Sequence, residues 1–133
     1  VGPNFHGQVT ALLAANNAAG PYHLTLVCTA QGLVVASAGD GLSDDDVAAF
    51  TCLFDDIVQR AVRDLGFHRV DEVTLLDPGR GRYVVRPLSV GGSTFFLVVR
   101  GHPHTSWRRN TTRLAAELER ALLPLVVVQE GAA

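Results

Sequence analysis

The stretch SAGDGLSDDD, residues 37–46, packs four aspartates and two glycines into ten positions, the densest group of potential ion ligands in the chain. A phosphate loop needs backbone amides together with a Lys and a Ser or Thr at fixed offsets, and three successive aspartates would repel phosphate. Calcium accepts carboxylate oxygens, yet the alternating acids and closing glutamate of an EF-hand are missing. Ordinary capping accounts for the same residues. Ser43 can cap a helix, with Asp46 three residues on in place of the usual Glu or Gln of a capping box, and aspartates in a first turn complement the helix dipole.

The remaining chemistry-bearing residues do not assemble into a motif. Of the five histidines, His102 and His104 alone are closely spaced, and Pro103 between them sets their directions apart with no third ligand nearby. Cys28 and Cys52 lack CxxC spacing and read as buried thiols, so no zinc site or disulfide framework is expected. No GxSxG elbow is present, and an enzyme would have to draw His and Asp from separate loops. Neither a catalytic residue, a cofactor nor a metal is therefore expected. Arg100, Arg108, Arg109 and Arg113 cluster in sequence and could receive an acidic partner or a phosphate, or could simply form a solvated face.

The elements that must position these residues follow from hydrophobic periodicity. Asn4 can cap a helix with Phe5, Val9, Leu12 and Leu13 on one stripe, ending near Asn16 and Asn17. Residues 22–29 alternate as a strand, Gln31-Gly32 turns the chain, and Leu33 to Ala38 returns as an antiparallel partner. A helix is expected from Asp44 to Leu65, with Val47, Phe50, Phe54, Ile57, Val58, Ala61 and Leu65 on one stripe and Gly66 as a left-handed cap. Its other face is small near the start, at Ala48, Ala49 and Cys52, which would let something pack closely. Three strands follow at Val70 to Asp77, Arg82 to Leu88 and Phe95 to Arg100. The last is apolar on both faces, which an antiparallel strand needs only if it is central and covered on both sides. Ser106 can cap a final helix carrying Trp107, Thr111, Leu114, Leu118 and Leu122. The expectation is an α/β three-layer sandwich of the α+β type: helix, two strands, helix, three strands, helix, with one helix on one face of a five-stranded antiparallel sheet and two on the other.

A length of 133 residues suits a single domain over 1–133, with 124–133 as a loosely ordered tail. A hydrophobic content of 47% argues against disorder. The net charge of −2 disfavours nucleic acid, and no apolar run approaches the roughly 20 residues of a spanning helix, so no membrane insertion is expected. All 11 basic residues are arginine, as in GC-rich bacterial genomes. VGPNFHGQ has neither the charged nor the apolar region of a signal peptide, which makes the cytoplasm the expected location.

The succession HLTLVCTAQGLVVASAGDG, DDDVAAFTCLFDDIVQRAVRDLGF, VDEVTLLDPGRGRYVVRPL and STFFLVVRGHPHTSWRRNTTRLAAELERAL resembles the Roadblock family over about Phe5 to Leu122. That family includes Roadblock-type dynein light chains and bacterial regulators of small Ras-like GTPases. The resemblance implies a non-enzymatic homodimer in which the third strand pairs with its copy and the middle helices lie side by side. A GTPase or other signalling protein would dock on the dimer's middle-helix face. On this chain the dimer interface would fall on Ala48, Ala49, Cys52, Asp56 and Gln59 of the helix and Asp71, Val73 and Leu75 of the strand, with Arg108, Arg109 and Arg113 as candidate partner contacts. A profilin-like or PAS-like small-molecule sensor is the alternative, and it would need an enclosed pocket.

Overall fold

The computed structural model describes residues 4–104 and 106–126. Its elements run α1 (Phe5–Ala19), β1 (Leu24–Thr29), β2 (Val34–Gly39), α2 (Asp44–Thr51), α3 (Leu53–Leu65), β3 (Val73–Asp77), β4 (Gly81–Val90), β5 (Ser93–Gly101) and α4 (Arg108–Ala121). The five strands form one antiparallel sheet in the order β2-β1-β5-β4-β3. β5 is central, and Phe95 to Val99 are all 5% exposed or less. Because side chains alternate along a strand, β5 feeds two cores. Phe95, Leu97 and Val99 pack with Val9 and Leu13 of α1 and Leu114 and Leu118 of α4. Phe96 and Val98 pack on the other side with Leu24, Leu26, Cys28, Val47, Ala48 and Phe54. Full burial of each such side chain stabilises the fold by about 1.5–3 kcal/mol, so the three-layer arrangement follows from the double-sided strand.

Local chemistry sets the start of α2 and the end of α3, while the Asn4 expected to cap α1 makes no side-chain capping bond. Ser43 Oγ accepts from the Asp46 amide at 3.3 Å, starting α2, and Gly66 (φ +74°) closes α3 in the left-handed conformation that glycine adopts without strain. Other ends differ from the sequence expectation. Asn16 and Asn17 do not stop α1, which continues to Ala19. Their amides are satisfied by tertiary partners instead: Asn16 Nδ2 donates to Thr25 Oγ1 at 3.1 Å, Asn17 Oδ1 accepts from that hydroxyl at 2.6 Å, and Asn17 Nδ2 donates to Ala38 O. Ser106 does not cap α4; Trp107 occupies the cap position without a side-chain capping bond, and the Ser106 carbonyl accepts from Tyr22 Oη.

The expected middle helix is broken at Cys52 into α2 and α3. Two adjacent side chains donate to helix carbonyls there: Thr51 Oγ1 to Val47 O at 2.6 Å and Cys52 Sγ to Ala49 O at 3.0 Å. Such back-bonding competes with the ladder and bends helices. β3 is also shorter than expected, beginning at Val73, so Asp71 lies before the strand. Continuing its register would bring Asp71 opposite Pro87, which has no amide hydrogen for a ladder bond. At the other end of the chain, 123–126 form a helical turn with Val126 buried in the α1–α4 core, while residues 127–133 of the expected tail lie outside the described residues. No helix among the described residues is long and apolar enough to cross a membrane. Replacing Ser43 by Ala is expected to lower stability by about 1 kcal/mol in denaturant unfolding, with an unchanged m-value.

Candidate functional site

The surface of interest lies where α2, α3 and the β3 edge leave apolar side chains uncovered. α2 is anchored to β4: Thr51 Oγ1 lies 2.7 Å from Tyr83 Oη, and the Phe50 ring meets both Phe54 (5.4 Å, 85°) and Tyr83 (5.6 Å, 77°) edge-on. Burial pushes the Tyr83 phenol above its ordinary pKa, with the Thr51 hydrogen bond pulling the other way. α3, by contrast, buries only Phe54. Phe50 (44% exposed), Leu53 (61%), Ile57 (50%) and Leu65 (70%) stand open. Leu75 of β3 is paired opposite Tyr83 and 43% exposed, so helix and strand contribute to one apolar surface around the Phe50–Tyr83 contact.

The residues expected at an interface are distributed unevenly on this surface. Ala49, Asp56, Gln59 and Leu75 are exposed, and Cys52 and Val73 are half-buried. Ala48 is fully buried within the chain. The neighbour that Ala48 and Cys52 admit is the chain's own β1–β2 turn: a Cβ at Gly32 (φ +90°) would lie 3.3 Å from Ala48 O and 3.4 Å from Cys52 Sγ. Asp56 pairs with Arg60 one turn on at 2.8 Å, and Gln59 Nε2 donates to Asp55, both at the surface. Asp71 pairs with Arg69 at 2.9 Å. Sequence reasoning missed Leu53, Val62 and Phe67, all more than 40% exposed. Their hydrophobicity off the main stripe was the available signal.

The arginine cluster disperses. Arg100 lines a separate cleft beside Asp40 and Gly41, Arg113 Nη2 donates to Asn110 Oδ1, and Arg109 is exposed. Arg108 alone turns toward Trp107 and Glu72, where it meets Arg82 and Arg86 of β4. Those two arginines flank Val84 on one strand face, a period-two pattern visible in GRYVVRP but not singled out from the sequence.

No group of three or more His, Cys, Asp or Glu among the described residues could hold a metal ion. The aspartate stretch is divided among separate tasks, with Asp44 Oδ2 accepting from Ser37 Oγ at 2.5 Å and Asp45 and Asp46 exposed. His102 and His104 are exposed, their rings 5.6 Å apart. Phe54, Phe95 and Leu97 fill the space on the two faces of the sheet, while Phe50 sits at the surface. Burial, with a smaller contribution from Cys52, pushes the Cys28 thiol up to about 12. It is protonated in the fold below that value, so its contribution to stability is complete below about pH 9, the unfolded value, and is lost as the pH rises from there toward 12. At pH 8 a thiol reagent is expected to modify Cys52 in the native protein and both cysteines only in denaturant; rapid native labelling of Cys28 would contradict the burial.

The sequence matches no protein-family model and no curated protein, but solved structures match the fold. Myxococcus xanthus MglB superposes with a TM-score of 0.79 at 15% identity, over 94% of this chain and 94% of that one. An MglB described as having a tetrameric arrangement gives 0.77 at 16%, over 91% and 92%. A Roadblock/LC7 domain from Streptomyces avermitilis gives 0.70 at 17%, over 89% and 97%. With five antiparallel strands in this order, one helical layer at α2–α3 and another at α1 and α4, the chain has a Roadblock-type fold, the fold of MglB.

Proposed function

We propose that this chain is a non-enzymatic regulatory or scaffolding protein of the cytoplasm, a single Roadblock-like domain acting as a homodimer that binds a small Ras-like GTPase or a signalling complex. The observation that carries the reading is the apolar surface shared by α3 and the β3 edge. A monomer in water would leave Leu53, Ile57, Leu65 and Leu75 uncovered, whereas pairing of β3 with its copy would cover them and satisfy the edge's open hydrogen bonds. β3 carries no proline or lysine within Val73–Asp77 to discourage such pairing. The fold shared with MglB, one of whose structures has a tetrameric arrangement, supports self-association. In this reading the interface comprises Ala49, Cys52, Asp56, Gln59, Val73 and Leu75, with Asp71 at its margin. The GTPase part rests on the resemblance to bacterial Roadblock regulators, and Arg108, Arg109 and Arg113 remain its candidate contacts. A small-molecule sensor gains less support, because the faces of the sheet are filled by packed side chains.

Sedimentation velocity at micromolar concentration is expected to give a dimer, and the double substitution Ile57→Asp, Leu75→Arg a folded monomer. A monomeric parent protein would sink the dimer. For the partner, titration calorimetry against each Ras-like GTPase of the source genome, in GDP-bound and GTP-bound forms, is expected to find one that binds; silence from all of them would remove the GTPase reading.

A further inference from the structure

An open cleft of about 730 Å³ lies where β3 and β4 meet the start of α4. Four arginines line it, Arg69, Arg82, Arg86 and Arg108, against two acids, Asp71 and Glu72. Both acids are already engaged. Asp71 pairs with Arg69, and Glu72 Oε2 accepts from Thr74 Oγ1 at 2.9 Å and from Trp107 Nε1 at 3.2 Å, with Oε1 4.0 Å from Arg108 Nε. The lining therefore carries a positive excess.

Arg86 is the focus of that excess. Its Nη1 donates to Thr112 Oγ1 at 2.7 Å and Thr111 Oγ1 at 3.3 Å, both neutral hydroxyls, while its Nε is buried without a partner among the described residues. No carboxylate among the described residues lies within ion-pair distance of it. A guanidinium withdrawn partly from water against neutral groups carries a desolvation cost that an anion would offset. The positive end of α4 opens at the same place, with no acidic residue in its first turn and no side-chain cap. Arg82 stacks 3.9 Å over the Trp107 ring and stiffens the wall beside them.

We propose that this cleft binds a small anion carrying a phosphate or carboxylate group, held by Arg86 and Arg108 at the N-terminal end of α4 against the wall formed by Trp107 and Arg82. Arg82 and Arg86 project from the face of β4 opposite to Tyr83 and Val85, which belong to the α2–α3 side. The cleft shares Asp71 and the β3 edge with the proposed dimer interface, so the anion titration is read beside sedimentation velocity: a dimer without anion binding, or anion binding without a dimer, sinks one reading and leaves the other.

Trp107 is the only tryptophan, so its emission reports on the cleft directly. The full chain is titrated with pyrophosphate and, separately, with citrate, at ionic strength matched with sodium chloride. A saturable change with at least one of them is expected, and which one responds separates a phosphate ligand from a carboxylate ligand. Loss of one charge-assisted contact in Arg86→Gln should weaken the apparent affinity by about tenfold or more. The exposed Arg108→Ala should weaken it at least threefold, and Arg100→Ala, in a different cleft, should leave it unchanged. No saturable response to either anion, or the same response in both cleft variants, overturns the proposal. Should Arg86→Gln fail to fold by circular dichroism, Arg108→Ala decides the matter alone, since its side chain is largely in solvent.

Discussion

The two-sided burial of β5 is the constraint on which the rest of the molecule depends. A strand with Phe95 to Val99 all removed from water must have a layer on each face and a strand on each side. β1 and β4 supply the flanking strands. α1 and α4 cover one face, and α2 with the start of α3 covers the other. Each chain segment therefore has its layer assigned by β5, including the hairpin β1–β2, which closes the sheet at one edge. That leaves β3 as the opposite edge, held by β4 alone.

Covering by α2 and α3 is incomplete, and the break at Cys52 is the reason. α2 lies on the sheet through Val47, Ala48 and Thr51, fixed by the Thr51–Tyr83 hydrogen bond. Past the break, α3 buries Phe54 and packs Val58 only partly against the same core, so the apolar stripe that periodicity places against a core emerges into solvent at Ile57 and Leu65. A stripe of this kind needs a covering surface, and within the described residues no element supplies one. The uncovered stripe and the open β3 edge together make one side of the sheet suited to protein contacts.

β4 separates that side from the arginine cleft. Tyr83 and Val85 face the α2–α3 layer, while Arg82 and Arg86 face the beginning of α4. Alternation along a strand thus places an aromatic anchor and a cationic lining on opposite faces of the sheet at neighbouring residues. The polar residues that tie the layers are likewise local devices with distant partners: Asn16 and Asn17 join α1 to β1 and β2, and Glu72 joins the segment before β3 to Trp107.

Much of the fold was legible in the sequence because it rests on short-range physics. The alternation of β1, the doubly apolar β5, the Ser43 cap and the Gly66 terminator each depend on a few neighbouring residues and a fixed period, and the structure shows them in place. The layer order followed from the same source, since a strand apolar on both faces needs helices on each. Tertiary structure decided what periodicity does not encode. Two side-chain donors at Thr51 and Cys52 split a helix that its stripe made continuous, and Asn16 and Asn17, breakers by composition, found partners across the sheet. Ala48, small enough for an interface, was taken by the chain's own Gly32 turn. The arginines adjacent in sequence separated around the helix, while Arg86 and Arg108, 22 positions apart, came to line one cleft, because proximity in space is set by the register of β4 against β5 and the landing point of α4.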